Sequence, residues 1–229
     1  MNDDIAPPPQ LHTLMEMRAG MELTQLMWAL PMLRMRVPRG SGSVLVLPGF
    51  MNDDTITWPL RHFLSSIGYE SHPWEQGVSR RSMFSYLPPL IRKAEQIGGG
   101  EPIALVGYSR GGALAREIAR ERPDLVKGLV TVGSPVQGGP QATQIGAFAA
   151  RQTGMSPEIM RRIQKERSRV PIRAPIHALY SKTDGIVAWR ACIDEHSPNV
   201  RHVEVRGSHA GLMFNTGVYQ HIARALSAL

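Results

Sequence analysis

Ser109 lies at the centre of a pentapeptide, GYSRG at 107–111, which has a glycine at each end. The apolar run at 103–106 precedes it and predicts a buried strand, and residues 112–119 follow with the spacing of a helix. A serine on a sharp strand-to-helix turn projects its hydroxyl above the edge of a sheet, and flanking glycines remove side chains that would collide there. The pattern predicts that Ser109 is a nucleophile, although a plain glycine-rich turn would have the same composition.

A serine nucleophile needs a base and an acid that orients the base, and candidates for both occur downstream. Asp184 lies in the turn after one predicted strand, and His209 follows another almost directly. Because the carboxyl ends of parallel strands share one edge of the sheet, both side chains should reach Ser109. We predict that His209 takes the Ser109 proton and that Asp184 fixes the imidazole tautomer. Asp194 is the rival acid, and a turn aspartate is the alternative role for Asp184.

Acyl transfer also requires N–H donors for the negative charge that develops on the substrate oxygen. The residue after the nucleophile and the loop after the first core strand normally supply them, and Arg110 and Phe50 occupy these positions. An ordinary strand-ending Pro-Gly turn is the alternative for the segment around Phe50. The Arg110 side chain adds a cation beside the nucleophile, either for an anionic group of the substrate or for an ion pair on the surface.

The elements that must position these residues alternate along the chain between short apolar runs and helical patterns. Near-continuous apolar strands separated by helices predict a parallel sheet with helices on both faces. We therefore expect a doubly wound, mostly parallel α/β fold with a sheet of about six strands. The predicted strands lie at 44–47, 71–74, 103–106, 129–132, 176–180 and 202–205.

Two helical segments lie outside this alternation. The first belongs to an N-terminal extension over residues 1–42 and has apolar positions at helical spacing over 10–35. It is too charged to span a bilayer, and its Met-rich stripe either packs on the sheet or contacts a membrane surface. The charged residues predicted for its other face are Glu16, Arg18 and Glu22. The second segment, at 138–170, is predicted to be an inserted helical cap at the edge where ligand sites form.

Length and composition are those of a single globular domain over residues 1–229, neither disordered nor fibrous. One cysteine excludes an internal disulfide, and no recognised spacing of metal ligands occurs. The acidic start, MNDD, does not resemble a secretory signal, so we expect cytoplasmic residence. The net charge of +7 comes mostly from arginines without interleaved aromatic residues, which favours a solvated basic surface over nucleic-acid binding.

Five ordered segments carry a resemblance to a known family. They are VLVLPGF at 44–50, LVGYSRGG at 105–112, LVTVGSPVQGG at 129–139, LYSKTDGIV at 179–187 and VRGSHAGL at 205–212. Over residues 44–225 the chain resembles the α/β-hydrolase superfamily, and within it the compact bacterial lipases and esterases. Val136 stands where many lipases have a histidine. The resemblance implies a nucleophile at Ser109, an acid at Asp184, a base at His209, an oxyanion hole formed by the amides of Phe50 and Arg110, and no cofactor.

The expected function is that of a serine hydrolase that cleaves carboxylic esters with apolar acyl groups through an acyl-enzyme. A thioesterase or an acyltransferase would use the same side chains, because the acceptor that reaches the acyl-enzyme decides its fate. A binding protein that retains the fold, with or without peripheral membrane contact, is the alternative of a different class. No oligomeric state is predicted.

Overall fold

The centre of the protein is one parallel sheet, seen here in a computed structural model that describes residues 5–229. Residues 1–4 of the predicted N-terminal extension lie outside the described residues. The strands are β1 (Ser43–Leu47), β2 (Glu70–His72), β3 (Ile103–Tyr108), β4 (Val126–Val132), β5 (Ile176–Tyr180) and β6 (Val200–Glu204). They form a six-stranded sheet in the order β2-β1-β3-β4-β5-β6, in which all neighbours are parallel. The predicted fold class is confirmed.

Helices connect the strands and cover both faces of the sheet. They are α1 (Gln10–Leu14), α2 (Ala19–Arg36), α3 (Asp54–Ser66), α4 (Leu87–Gly98), α5 (Arg110–Glu121), α6 (Gly146–Thr153), α7 (Pro157–Ser168) and α8 (Thr216–Ser227). Residues 15–18 form a turn of 3-10 helix between α1 and α2. The helical segment predicted as continuous over 10–35 is therefore divided into three pieces.

Alternating side chains of the central strands build two cores. Val44 and Val46 of β1 pack in a cluster with residues of α2, α3 and α8 on one face of the sheet. Leu45 and Leu47 pack with residues of α4 and α5 on the other face. Since both faces are buried, the segments at 44–47 of β1 and 103–106 of β3 are apolar at every position and buried throughout.

The second strand is shorter than predicted and does not reach Trp74. The backbone N–H groups of Trp74 and Glu75 donate to the Asp54 carboxylate, at 2.9 and 3.0 Å, instead of to a neighbouring strand. The preceding residue, Asp53, caps α3 by accepting from the Thr55 amide at 2.9 Å. The two adjacent aspartates therefore start the helix and end the strand.

The carboxyl ends of the inner strands are level with one another. Leu47 of β1 pairs with Gly107 of β3, and Val132 of β4 pairs with both Tyr108 of β3 and Leu179 of β5. The loops that leave these strands therefore start at the same edge of the sheet. None of the helices within residues 5–229 combines the length and the apolar character needed to cross a bilayer.

Candidate active site

Ser109 occupies the strained turn between β3 and α5. Its backbone has φ of +52° and ψ of −121°, a conformation that residues other than glycine rarely adopt. Its N–H donates to the Val132 carbonyl at 2.7 Å, which ties the turn to the end of β4. A Cβ at Gly107 would lie 2.4 Å from the Gly111 carbonyl oxygen, and one at Gly111 would lie 2.2 Å from the Leu47 carbonyl oxygen. The glycines are needed because strand and helix cross this closely.

The structure brings Ser109, Asp184 and His209 into one buried chain of hydrogen bonds. The distance from His209 Nε2 to Ser109 Oγ is 3.1 Å, and the distance from His209 Nδ1 to Asp184 Oδ2 is 2.6 Å. A carboxylate can only accept, so Nδ1 carries the proton and the Nε2 lone pair faces the serine hydroxyl. This arrangement can withdraw the proton of Ser109 during attack on an electrophile.

Asp184 is held by its own loop. Its Oδ1 accepts from the backbone N–H groups of Ile186 at 2.8 Å and Val187 at 2.7 Å, which leaves Oδ2 for His209. These bonds stabilise the charged carboxylate in a buried position. The carboxylate therefore has a fixed direction relative to the imidazole.

The pKa of His209 is raised above its ordinary value. Burial alone would lower this pKa, because it disfavours the charged imidazolium, but the Asp184 carboxylate opposes burial through charge and through the hydrogen bond. The carboxylate of Glu16 also raises the pKa. A histidine with a raised pKa is a stronger base for the serine proton.

Glu16, from the N-terminal segment, links the loops of Asp184 and His209, a contact that the sequence did not reveal. Its Oε1 accepts from the backbone N–H groups of Gly185 and His209, each at 2.8 Å. Its Oε2 accepts from the N–H of Ala210 at 2.9 Å. One carboxylate thus binds both the loop that carries Asp184 and the loop that carries His209.

Glu22 and Arg18 add further hydrogen bonds between the N-terminal segment and these loops. Glu22 accepts from the Ser208 amide at 3.1 Å and from the Ser208 hydroxyl at 2.6 Å. Arg18 donates to the Thr183 carbonyl at 3.0 Å and to its hydroxyl at 2.7 Å. A Cβ at Gly211 would lie 1.3 Å from Glu22 Oε2, so the carboxylate approaches only because residue 211 is glycine. Helical spacing assigned these charges to a separate polar face, and the structure places them against the active-site loops.

Tyr108 is a second residue that sequence reasoning missed, although it lies within the GYSRG motif. Its ring centroid is 5.1 Å from that of the His209 imidazole, and its hydroxyl donates to the His209 carbonyl at 3.0 Å. Gly133 lies on another side of the imidazole, where a Cβ would come 3.3 Å from Cε1. The imidazole is therefore packed as well as hydrogen-bonded.

Phe50 and Arg110, the residues predicted to donate to an oxyanion, both line the cavity beside Ser109. Arg110 is the first residue of α5, so the helix itself offers its N–H no acceptor. The Arg110 guanidinium donates to the carbonyls of Ser79, at 3.3 Å, and Arg81, and lies over the Phe50 and Tyr86 rings. Burial lowers the pKa of Arg110 to about 10. Within residues 5–229 it pairs with backbone and rings, not with a surface carboxylate.

Asp194, the rival acid, lies in a different network. Its Oδ2 accepts from Arg116 Nη2 at 2.5 Å, and its Oδ1 accepts from the amides of His196 and Ser197. Burial raises the pKa of Asp194, but Arg116 and these hydrogen bonds outweigh it, so that the pKa is lowered. The geometry favours Asp184 as the partner of His209.

A cavity of about 200 Å³ lies between α5 and the segment predicted to be a cap, and Ser109 is part of its wall. Its apolar wall includes Phe50, Val136, Ile145, Ala149, Met160 and Ile163. Its charged wall includes Arg116, Glu117, Arg120 and Arg167. Glu117 accepts from Arg167 Nε at 2.5 Å and also from Arg120. The cavity therefore combines an apolar lining with a neutralised ionic network farther along α5.

No group of three histidine, cysteine, aspartate or glutamate side chains within residues 5–229 converges closely enough to hold a metal ion.

Comparisons with known proteins agree with the observed architecture. A model of the α/β-hydrolase fold matches residues 67–156. Mouse alpha/beta hydrolase domain-containing protein 10 superposes with a TM-score of 0.61 at 18% identity, covering 81% of this chain and 88% of its own. A monoacylglycerol lipase from Paleococcus ferrophilus superposes with a TM-score of 0.61 at 16% identity, covering 83% of this chain and 96% of its own. A lipase-esterase related protein from Clostridium acetobutylicum superposes with a TM-score of 0.59 at 16% identity, covering 79% of this chain and 93% of its own.

No curated protein sequence matches the chain significantly. The solved structures named above are distant in sequence, so they show the fold alone and leave the reaction to the site itself. The sheet order, the serine turn with its positive φ and the matching family model together show that the chain has the α/β-hydrolase fold.

Proposed function

We propose that the protein is a serine hydrolase that cleaves carboxylic esters through an acyl-enzyme on Ser109. The observation that carries this proposal is the buried hydrogen-bond chain from Ser109 Oγ through His209 to Asp184, at 3.1 and 2.6 Å. It unites a nucleophile, a base and an orienting acid in the geometry that acyl transfer requires.

In the first half of the reaction, Ser109 Oγ forms a bond to the ester carbonyl carbon while its proton moves to His209 Nε2. The electron pair of the C=O bond moves to oxygen, and the backbone N–H groups of Phe50 and Arg110 are proposed to donate to this oxyanion. When the intermediate collapses, the C–O bond to the alcohol breaks and His209 returns the proton to the leaving oxygen. The products are the acyl-enzyme and the free alcohol.

In the second half, water attacks the acyl carbon while His209 takes one of its protons. The bond between the acyl carbon and Ser109 Oγ then breaks, and His209 gives that proton to Oγ, which releases the carboxylic acid and restores the serine. Asp184 stays ionised throughout and stabilises the imidazolium that forms twice. No other reactant is needed for this cycle.

The cavity supports an apolar acyl group of medium length. Ala113 lies one helical turn beyond Ser109 in the cavity wall, and Glu117 lies one turn farther. At 1.5 Å per residue, Glu117 is about 12 Å from Ser109 along the helix axis. We propose that the acyl chain lies along this face of α5 under α6 and α7, and that the ionic network at Glu117 limits its length.

The test is covalent labelling by a fluorophosphonate, followed by intact-mass measurement. Wild type should gain one label, and Ser109→Ala should gain none. Ser82→Ala is the matched control, because Ser82 lines the same cavity and its hydroxyl contacts the Met155 sulfur, 3.8 Å away. Labelling of Ser109→Ala, or none in folded wild type, would overturn the proposal. A p-nitrophenyl ester series should then peak at intermediate chain length.

A further inference from the structure

The outer face of α2 exposes a row of large apolar side chains. Met21, Trp28, Met32 and Met35 have exposed fractions of 63%, 83%, 47% and 73%. At 100° per residue these four positions fall within an arc of about 60°, so they form one stripe along the helix. We call these four residues the outer stripe.

The opposite face of the same helix is already used by the protein. Leu26 and Leu33 are buried in the core cluster that also contains residues of α3 and α8. Glu22 is bonded to Ser208 on this inner face. A helix that is apolar on two sides is expected to be covered on both, and in the described chain α2 is covered on one. The outer stripe is therefore an exposed apolar surface of the kind that marks an interaction site.

Exposed apolar residues continue N-terminally from the outer stripe. Leu11, Leu14 and Met17 have large exposed fractions, up to 90% for Met17. The segment that carries them is anchored, since Thr13 donates to the Gly185 carbonyl at 2.8 Å and Glu16 holds the loops at Gly185 and His209. The exposure is thus a property of a docked segment.

The exposed charged residues within 5–42 are positive. The acidic residues within 5–42 are Glu16 and Glu22, and both accept hydrogen bonds from the active-site loops. The C-terminal end of α2 and the residues after it carry Arg34, Arg36 and Arg39, of which Arg36 and Arg39 are exposed. A helix with methionine and tryptophan exposed on one face and arginines at its C-terminal end suits the interface of an anionic bilayer.

We propose that the outer stripe binds the surface of an anionic phospholipid bilayer, with α2 lying in the plane of the headgroups. A second copy of the chain fits less well. In a symmetric dimer the segment would face the same segment of the partner, which would add the Arg36 and Arg39 charges of both copies to one interface without exposed carboxylates from this segment. The inner face of the segment is hydrogen-bonded to the loops of Asp184 and His209. The bilayer would therefore lie on the side of the site where these two residues are.

The test is co-sedimentation of the full chain with vesicles of phosphatidylcholine alone or mixed with phosphatidylglycerol, at low and high salt. The bound fraction should rise with phosphatidylglycerol and fall with salt, since arginines near an anionic surface act through screened charge. The assay needs no activity, and Ser109→Ala should bind like wild type. Failure of the ester hydrolase proposal would therefore leave this result unaffected.

Two variants separate the apolar and the charged contributions. Trp28→Ser combined with Met32→Ser should lower the partition coefficient at least tenfold, because both side chains would insert below the headgroups. Arg36→Glu combined with Arg39→Glu should lower it by about fivefold or more per arginine on anionic vesicles. Trp58→Ser is the matched control, because Trp58 is 58% exposed on α3, outside the outer stripe, and should leave binding unchanged.

Three results would overturn the proposal. The first is no binding to anionic vesicles by folded wild type. The second is equal binding by wild type and the Trp28 and Met32 double variant. The third is a dimer in sedimentation velocity that Trp28→Ser dissociates, without vesicle binding, which would assign the outer stripe to a second copy.

Discussion

The two sides of Ser109 are built from different kinds of contact. On the acid and base side, a carboxylate from the N-terminal segment, Glu16, accepts hydrogen bonds from the loops of Asp184 and His209. On the cap side, the contacts near Ser109 are largely apolar, such as the edge-on packing of Phe50 against Phe148 of α6 at 5.9 Å between centroids. Directional bonds hold the groups proposed to transfer a proton, and non-directional contacts line the space proposed for the substrate.

This difference follows from what each side has to do. Proton transfer requires heavy atoms at hydrogen-bond distance and in a fixed direction, and charged hydrogen bonds set both. An acyl chain requires a dry wall of suitable shape, and methionines such as Met155 and Met160 adapt to it. Changes on the first side should therefore affect rate for every substrate, and changes on the second side should affect the choice among substrates.

The largest expected effect comes from replacing each of the two candidate acids, in turn, by asparagine. Asp184→Asn should lower kcat by about 10⁴-fold, because the amide favours the wrong tautomer of His209. Asp194→Asn should keep most of the activity but lower the free energy of unfolding by about 3 kcal/mol, since it leaves Arg116 buried without its carboxylate. Ester hydrolysis rates and denaturant melts of both variants check this. A larger loss of kcat in Asp194→Asn would reverse the assignment.

Removing the Glu16 carboxylate should have the next largest effect. Glu16→Ala deletes the acceptor of Gly185, His209 and Ala210, and should lower kcat by between about tenfold and 100-fold with little change in KM, because the base is no longer held in place. Glu16→Gln keeps an oxygen acceptor and should be intermediate.

Glu158→Ala, on the exposed surface of α7, is the control for Glu16→Ala and should retain wild-type kcat. If Glu16→Ala raised KM and left kcat unchanged, its carboxylate would not position the base.

The cap side should respond through selectivity. Ala113→Leu places a larger side chain in the cavity wall one turn beyond Ser109 and should lower kcat/KM for octanoyl esters about tenfold, while acetyl esters change little. Ala147→Leu is the control, because Ala147 is exposed on α6 and is not among the residues of the cavity wall. Equal losses for short and long esters would indicate that the acyl chain lies elsewhere.

The smallest expected effect is a displacement of the pH profile. In the proposed mechanism neutral His209 is the base, so kcat/KM should fall as the pH drops through its pKa. The Glu16 charge favours the imidazolium and raises that pKa, so Glu16→Gln should move the acid limb of the profile to lower pH. Glu158→Gln should leave the limb in place. A limb that moves to higher pH in Glu16→Gln would contradict the electrostatic role.

Local sequence patterns determined the parts of this protein that depend on neighbours in the chain. The apolar runs predicted the buried strands, because a strand covered on both faces has apolar side chains at nearly every position. The glycines around Ser109 predicted the tight turn, and the placement of Asp184 and His209 after strands predicted that they share an edge with it. The catalytic roles of these residues stay predictions until the variants are measured.

Only the tertiary structure decided how the N-terminal segment lies. Helical spacing shows that Glu16 and Glu22 are on a different side from the methionines, but not which side faces the protein. Glu16 accepts a hydrogen bond from the His209 amide, 193 positions away, and such a pairing leaves no periodic trace in either segment. Periodicity reports which residues share a face. The partner of that face is decided by charges and donors that meet when the chain folds.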